Sequence, residues 1–375
     1  MKRGSKKNRL LDFYVGIPFL FITAGFRRKR KWPSSIRRIG IFPNPALGDT
    51  LLCAGPISDI RLAFPQSEII LLITRSNKSA ANLIPGVARI VNISVTNPLQ
   101  SIRTIRALDL DLLVDFTSWQ RVTATISAFS NASFVVGYNT PNQFRHFGYD
   151  RTAEHRNDRH ELDNHRALAA CVGAVASTFP QLTVPPAKLD EITDVAKDLV
   201  VFHPWPSGMR SWLREWPDDR WAELATRLNH PGRLFVITAS PEDEPRARKI
   251  SERLTSQGAD THVFVGGDGL SSVARLLMRA ELLVSVNTGI MHLGALLGTP
   301  TVSINGPTAQ HRWGPVGRYV IGVDTPDSSG GFLHLGFEFE GNPTDTMERI
   351  STEQVFKAAQ VVLRCKCDRP HAETQ

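Results

Sequence analysis

Cysteine is scarce in this chain: there are four in 375 residues, at positions 53, 171, 365 and 367. Cys53 and Cys171 are isolated. Cys365-Lys366-Cys367 lacks partner ligands at zinc-site spacing and reads as part of a surface tail. The pattern excludes a disulfide framework and suits a reducing cytoplasm. The glycine fingerprint G-x-G-x-x-G and the phosphate loop of NTPases are also missing, so neither a dinucleotide dehydrogenase nor an NTPase is indicated. There is no serine nucleophile elbow, no metal-ligand cluster and no short-period repeat.

Acidic residues are nearly absent from the first 31 positions. Lys2, Arg3, Lys6, Lys7, Arg9, Arg27, Arg28, Lys29, Arg30 and Lys31 are opposed there only by Asp12. This arm therefore holds more positive charge than the whole chain's net +8, and the remainder is close to neutral. A nucleic-acid-binding surface would spread its basic residues over the folded body, so the arm is the partner-seeking element. Between its basic clusters, residues 10–26 are almost wholly apolar, interrupted by Asp12, Gly16 and Pro18. That length is at the lower limit for a spanning helix, and the basic cluster at 27–31 argues against a cleaved signal. An interfacial anchor on an anionic membrane surface fits best. A helix packed on its own protein and a single spanning anchor are the alternatives.

With 42% hydrophobic residues, the chain can fill the cores of two or three domains. From residue 39 onward, short β-rich runs alternate with helical stretches. Runs 39–42, 69–74, 90–95, 112–116 and 134–137 read as strands, with helices over 50–63 and 119–129. The stretch 139–165, rich in Arg, His and Asn, reads as a loop or a solvated insertion. The proline-rich segment 180–186 is the expected linker, and beyond it the rhythm restarts. Strands are expected at 200–203, 234–238, 262–265, 282–286 and 301–304, with helices over 221–228, 245–255, 271–279 and 351–363. The chain thus reads as an arm (1–35) followed by two doubly wound α/β domains, 36–185 and 186–375, facing each other across a ligand cleft.

Three turns at strand ends carry the chemistry-bearing residues. After run 39–42, Gly48-Asp49-Thr50 opens a helix; Gly48 is expected to allow a sharp turn. The helix dipole favours the ionised form of Asp49, which can then accept a proton as a base, although an acid in a first helical turn needs no further purpose. After run 200–203 comes a loop rich in tryptophan and arginine. Ser207, Arg210 and Arg214 lie in it, the arginines as forked donors suited to a diphosphate, while Trp216 and Trp221 read as core. After run 282–286, Asn287-Thr288-Gly289 leads into a helix whose free N–H groups suit a phosphate, with His292 in its first turn. Glu242 or Glu244, in the turn after run 234–238, could bind ribose hydroxyls or simply cap a helix.

The chain resembles glycosyltransferase family 9, the heptosyltransferases of lipopolysaccharide core assembly. The residues that carry the resemblance are Gly48-Asp49-Thr50-Leu51-Leu52, Arg214-Glu215-Trp216-Pro217 through Trp221, Asn287-Thr288-Gly289-Ile290-Met291-His292 through Gly306-Pro307-Thr308, and Arg312-Trp313-Gly314-Pro315. The resemblance implies a GT-B fold of two Rossmann-like domains. It also implies an inverting transfer, without metal or other cofactor, from an ADP-heptose or similar nucleotide sugar to a lipid-linked envelope glycan, at the cytoplasmic face of the inner membrane. On this likeness Asp49 matches the general base, and Thr288, Gly289 and His292 match the diphosphate-binding helix start. Glu242 or Glu244 matches the acid near the ribose. Arg214 stands where a lysine is common, and Asn287 where an aspartate is common. A non-catalytic nucleotide- or glycan-binding protein of the same fold is the alternative reading.

Overall fold

The central strands bury four or five consecutive side chains, as expected for parallel strands covered by helices on both faces. The computed structural model describes residues 12–14, 16–26, 30–177, 179–186, 189, 196, 198–208, 210–266, 269–327, 329–333 and 345–367. Two compact units make up the chain, Met1–Thr183 and Val184–Gln375, and their boundary falls inside the expected linker.

The first unit contains strands β1 (Arg38–Phe42), β2 (Glu68–Ile73), β3 (Arg89–Asn92), β4 (Leu112–Asp115), β5 (Phe134–Asn139) and β6 (Arg151–Glu154). Its helices are α1 (Gly16–Phe26), α2 (Leu47–Leu52), α3 (Ala54–Ala63), α4 (Lys78–Ala81), α5 (Pro98–Arg106), α6 (Arg121–Ala128) and α7 (Glu161–Ala170). The second unit contains β7 (Asp198–His203), β8 (Arg233–Ala239), β9 (Asp260–Val265), β10 (Leu282–Val286), β11 (Thr301–Ile304) and β12 (Val320–Val323). Its helices are α8 (Asp218–Leu228), α9 (Glu244–Ser256), α10 (Leu270–Arg279), α11 (Gly289–Leu296), α12 (Gln310–Trp313) and α13 (Thr352–Cys367).

Every pairing is parallel. The sheet orders are β3-β2-β1-β4-β5-β6 and β9-β8-β7-β10-β11-β12. Both are the doubly wound order 3-2-1-4-5-6, which reverses direction between its first and fourth strands. Ligands of such sheets bind beyond the carboxyl ends of those strands. The switch points here are β1/β4 and β7/β10.

Several local expectations change. Stretch 139–165 is neither loop nor solvated insertion, because it supplies β6, a 3-10 turn over Arg145–Gly148 and the start of α7. Several of its polar residues, Arg145, His155, Glu161 and Asn164 among them, are buried with hydrogen-bond partners. Arg145 donates to Thr117 Oγ1 (2.7 Å), Thr123 Oγ1 (3.0 Å), Tyr149 Oη (2.6 Å) and the carbonyl of Gln120, and sits 3.4 Å from Asp115 Oδ2. Tyr149 reaches Asp115 (2.9 Å) by lying against Gly137, where an added Cβ would come within 2.3 Å of its ring. The carboxylate of Glu161 accepts from His155 Nε2 (3.1 Å) and Asn164 Nδ2 (3.1 Å). Cys365 and Cys367 end α13 instead of lying in a tail. Gly48 makes no sharp turn: α2 begins at Leu47, so Gly48 has helical backbone inside the first turn. The expected helix over 50–63 is two helices joined at Cys53.

Helix α1 packs against the first unit, with Leu20 wholly buried beside Phe42, Ile126 and Val135. In the second unit, Trp216 and Trp221 form the expected core, edge to face at 5.2 Å, and the Trp216 indole donates to the Ile350 carbonyl (2.8 Å).

Candidate active site

In the first unit, the turn between β1 and α2 places Asp49 in the first turn of a helix, half-buried at the carboxyl edge of the sheet. Its carboxylate accepts a hydrogen bond from Asn44 Nδ2 at 2.9 Å. The Asn44 carbonyl accepts from Thr50 Oγ1 (2.9 Å), and Thr50 Oγ1 accepts from Asn77 Nδ2 (3.0 Å). Ser76 Oγ donates to the Pro45 carbonyl (2.9 Å). The turns after β1 and β2 are therefore stitched together, and Asp49 is held by a frame of neutral amides and hydroxyls. Behind it lies Cys53, whose thiol pKa is pushed well up by burial and by the charges of Asp49 and Glu161. It is a packing residue, protonated at neutral pH.

In the second unit, residues from both sides of the switch point meet. Arg214 ends the 3-10 turn Ser211–Arg214 in the loop after β7. Its guanidinium donates to the Asn287 carbonyl after β10 (3.2 Å) and to the Ser207 carbonyl (2.9 Å). Both partners are neutral, and among the described residues no carboxylate is paired with it. Burial alone lowers its pKa to about 10. That desolvation is a penalty on the cation which a bound anion would offset.

Beside it, α11 begins at Gly289, capped by Thr288, whose Oγ1 accepts from the Ile290 N–H (3.0 Å). The cap uses the Thr288 oxygen as acceptor and leaves its O–H able to donate outward. Gly289 places no side chain at the helix start. A cation and the positive end of a helix thus converge over β7 and β10, the arrangement an anion with more than one phosphate requires.

The structure does not bring every expected residue into this group. His292 lies in the first turn of α11, as expected, and is nearly wholly buried there. Arg210 is exposed, with left-handed backbone (φ 53°), just before the 3-10 turn. Glu242 is exposed, and Glu244 pairs with Arg248 at 2.6 Å. The acid that lies toward β7 is Asp243, close enough to raise the pKa of His203 against the burial that brings it down to about 4. His203 is therefore neutral at pH 7, its Nδ1 2.8 Å from Thr238 Oγ1. Among the described residues, no group of three His, Cys, Asp or Glu side chains is placed to hold a metal ion.

Sequence reasoning did not assign roles to Asn44 and Asn305 and left that of Asn287 undefined. All three sit one or two residues past the end of a strand, a position where asparagine often organises a turn. Asn287 Nδ2 donates to the Trp313 carbonyl (2.9 Å) and to Asn305 Oδ1 (3.1 Å), and the latter also accepts from Ser303 Oγ (2.9 Å). Position 287 consequently needs a donor. Asn287→Asp would turn a buried carboxylate toward two acceptors, and the expected cost is about 1–3 kcal/mol of stability. Urea unfolding at pH 7.5 measures it; an unchanged midpoint would show that these bonds contribute nothing.

Two Rossmann-ordered units, one with a guanidinium beside a helix start at its switch point and one with a carboxylate at the corresponding edge, match a GT-B-type glycosyltransferase fold. Solved structures agree: Escherichia coli ADP-heptose lipopolysaccharide heptosyltransferase II has a TM-score of 0.69 at 16% identity, covering 88% of this chain and 99% of its own. An E. coli heptosyltransferase solved with ADP has a TM-score of 0.66 at 19% identity, covering 87% and 99%. The model of glycosyltransferase family 9 (heptosyltransferase) matches residues 99–329, and the chain belongs to that family. Lipopolysaccharide heptosyltransferase 1 of Pseudomonas aeruginosa is 24% identical over 82% of this chain and 85% of its own length. The matches to heptosyltransferase 1 of Salmonella typhimurium and E. coli are 31–33% identical, and there the chain spans about a third of the relative's length.

Proposed function

We propose that this chain is an inverting glycosyltransferase. It transfers a heptose or related sugar from a nucleoside-diphosphate donor, ADP-heptose or similar, to a lipopolysaccharide-core or other envelope glycan acceptor at the cytoplasmic membrane surface. The observation that carries this reading is the pairing of Arg214 with the Asn287 carbonyl beside the start of α11. It sets an uncompensated guanidinium at a helix N-terminus over the switch point. Membership of the heptosyltransferase family and the likeness to a relative solved with ADP support the donor class.

The proposed reaction is a single displacement. The Asp49 carboxylate takes the proton of an acceptor hydroxyl as its oxygen attacks the anomeric carbon. The bond from that carbon to the diphosphate oxygen breaks on the opposite face, inverting the centre. The leaving nucleoside diphosphate gains negative charge, which Arg214 and the N–H groups at the start of α11 stabilise from fixed positions. The Thr288 hydroxyl supplies one further donor.

Thermal unfolding with a panel of ADP-, UDP-, GDP- and CDP-sugars tests the donor class. A ligand at 100 times its dissociation constant adds about 2.7 kcal/mol of stability, so one nucleotide series should raise the midpoint by several degrees. A chain that responds to none of the four is not a nucleotide-sugar enzyme. A chain that binds one of them, yet neither hydrolyses nor transfers its sugar, is a binding protein of this fold.

A further inference from the structure

Helix α1 carries no charged side chain and is apolar around its whole circumference. Such helices are buried in a core or sit in lipid. Here only one face is buried. Leu20 enters the core of the first unit, while Phe21 is 65% and Ile22 57% exposed, and Tyr14 just ahead of the helix is 70% exposed.

The helix is fastened at both ends. Before it, the Asp12 carboxylate accepts from the backbone N–H groups of Arg121 (3.1 Å) and Val122 (3.0 Å), capping α6 from outside, and pairs with the Arg121 guanidinium at 3.1 Å. After it, the Arg30 N–H donates to Asp150 (3.1 Å), and the Arg30 guanidinium donates to the Ala132 carbonyl. Gly16 fits against the Arg121 side chain, where an added Cβ would stand 2.8 Å from its Cβ. The exposed face is therefore a standing feature of the folded unit and not the side of a loose arm.

We propose that this outer face of α1 rests on an anionic bilayer while the helix stays docked, which names the contact surface for the membrane placement proposed above. Eleven residues at 1.5 Å each extend about 16 Å, roughly half the hydrocarbon thickness of a bilayer. Among the described residues no helix is long and apolar enough to cross a membrane. Aromatic side chains are at home at the lipid–water boundary. The charge that selects the partner is in the sequence: ten lysines and arginines flank the helix within the first 31 residues. Phospholipid headgroups with net negative charge match it, and a second copy of the chain, carrying the same basic flanks, does not.

The orientation has a consequence for the acceptor. Asp12 caps α6 just beyond the end of β4, and β4 pairs with β1 up to Phe42 and Asp115, so the clamp lies at the same sheet edge as the turn bearing Asp49. A lipid-linked glycan would meet that edge without leaving the membrane surface.

Flotation of the full-length protein with vesicles of phosphatidylcholine, with and without 30% phosphatidylglycerol (about a third anionic, the range in which basic segments respond), tests the proposal. The wild type should float with the anionic vesicles only. The double variant Phe21→Glu/Ile22→Glu, both at exposed positions, should lose at least tenfold in partitioning at a melting midpoint within a few degrees of the wild type, the Phe21–Phe147 ring contact being what it gives up. If the wild type ignores both vesicles, the membrane placement itself is overturned. If it floats and the variant floats equally well, only the assignment to this face fails. A wild-type dimer that the variant splits, with vesicle binding intact, assigns the face to self-association and also overturns the proposal. Hydrogen exchange then tests docking: the Arg121 and Val122 amides should stay protected on vesicles, and their exposure would show that the helix detaches.

Discussion

Asp49→Asn is expected to lower sugar transfer by about 10²–10⁴-fold, the range spanned by losing a positioned proton acceptor. The substitution keeps the size of the side chain and an oxygen that can accept from Asn44, so the frame of Asn44, Thr50 and Asn77 survives. The stability lost is the charge–dipole term of a first-turn acid, about 0.3–1 kcal/mol. Nucleotide binding, proposed for the second unit, should be unchanged by calorimetric titration. This separation makes the measurement decisive. Initial rates within tenfold of the wild type, with the protein folded, would remove Asp49 as the base.

Arg214→Ala is expected to act on the opposite half of the reaction. The guanidinium holds the loop after β7 to the turn after β10 through two carbonyls, one of them two residues before the start of α11. Losing a pre-organised stabiliser of developing charge typically costs about 2.7–4 kcal/mol in the barrier, or about 10²–10³-fold in kcat. Ground-state donor binding should weaken as well, because the diphosphate is already charged before reaction. Arg214→Lys keeps the charge without the fork and should fall between the two. Steady-state kcat and KM, with a thermal midpoint for each variant, separate the roles. If Arg214→Ala lowers only the midpoint, and the folded fraction turns over normally, Arg214 is a brace for the loop and not part of the phosphate site.

The parts of the fold visible in the sequence were those where one element is apolar along its length and stops at a turn residue. Strands β10 and β11 fall on the expected runs, and α11 opens at the expected Asn287-Thr288-Gly289 turn, because Asn287, Gly298 and Asn305 punctuate them. Strands β6 and β12 were not legible. Each is a four-residue edge strand, and β6 reads Arg-Thr-Ala-Glu, with a single buried side chain. Stretch 139–165 misled for a related reason: sequence pattern treats arginine and histidine as solvated, whereas Arg145 is wholly buried among partners supplied by β4 and α6.

At the site, the backbone logic was readable and the choice between neighbours was not. Three consecutive acids, Glu242, Asp243 and Glu244, differ in role only through the phase of α9. That phase turns Asp243 toward His203 and leaves Glu244 to pair along the helix. Asn287 was legible as a departure from the family pattern. Its reason, two facing acceptors from residues 18 and 26 positions away, exists only in the folded unit.

The clamps on α1 also impose an order on biosynthesis. Asp12 and Arg121 are separated by 109 positions, and Arg30 and Asp150 by 120. At about 5–20 residues per second, the ribosome releases α1 roughly 5–25 seconds before its docking ground exists. During that interval all sides of the helix, Leu20 included, are without an intramolecular partner, and the basic clusters travel with it. Leu20 can be covered only once β1, α6 and β5, which carry Phe42, Ile126 and Val135, have all been made.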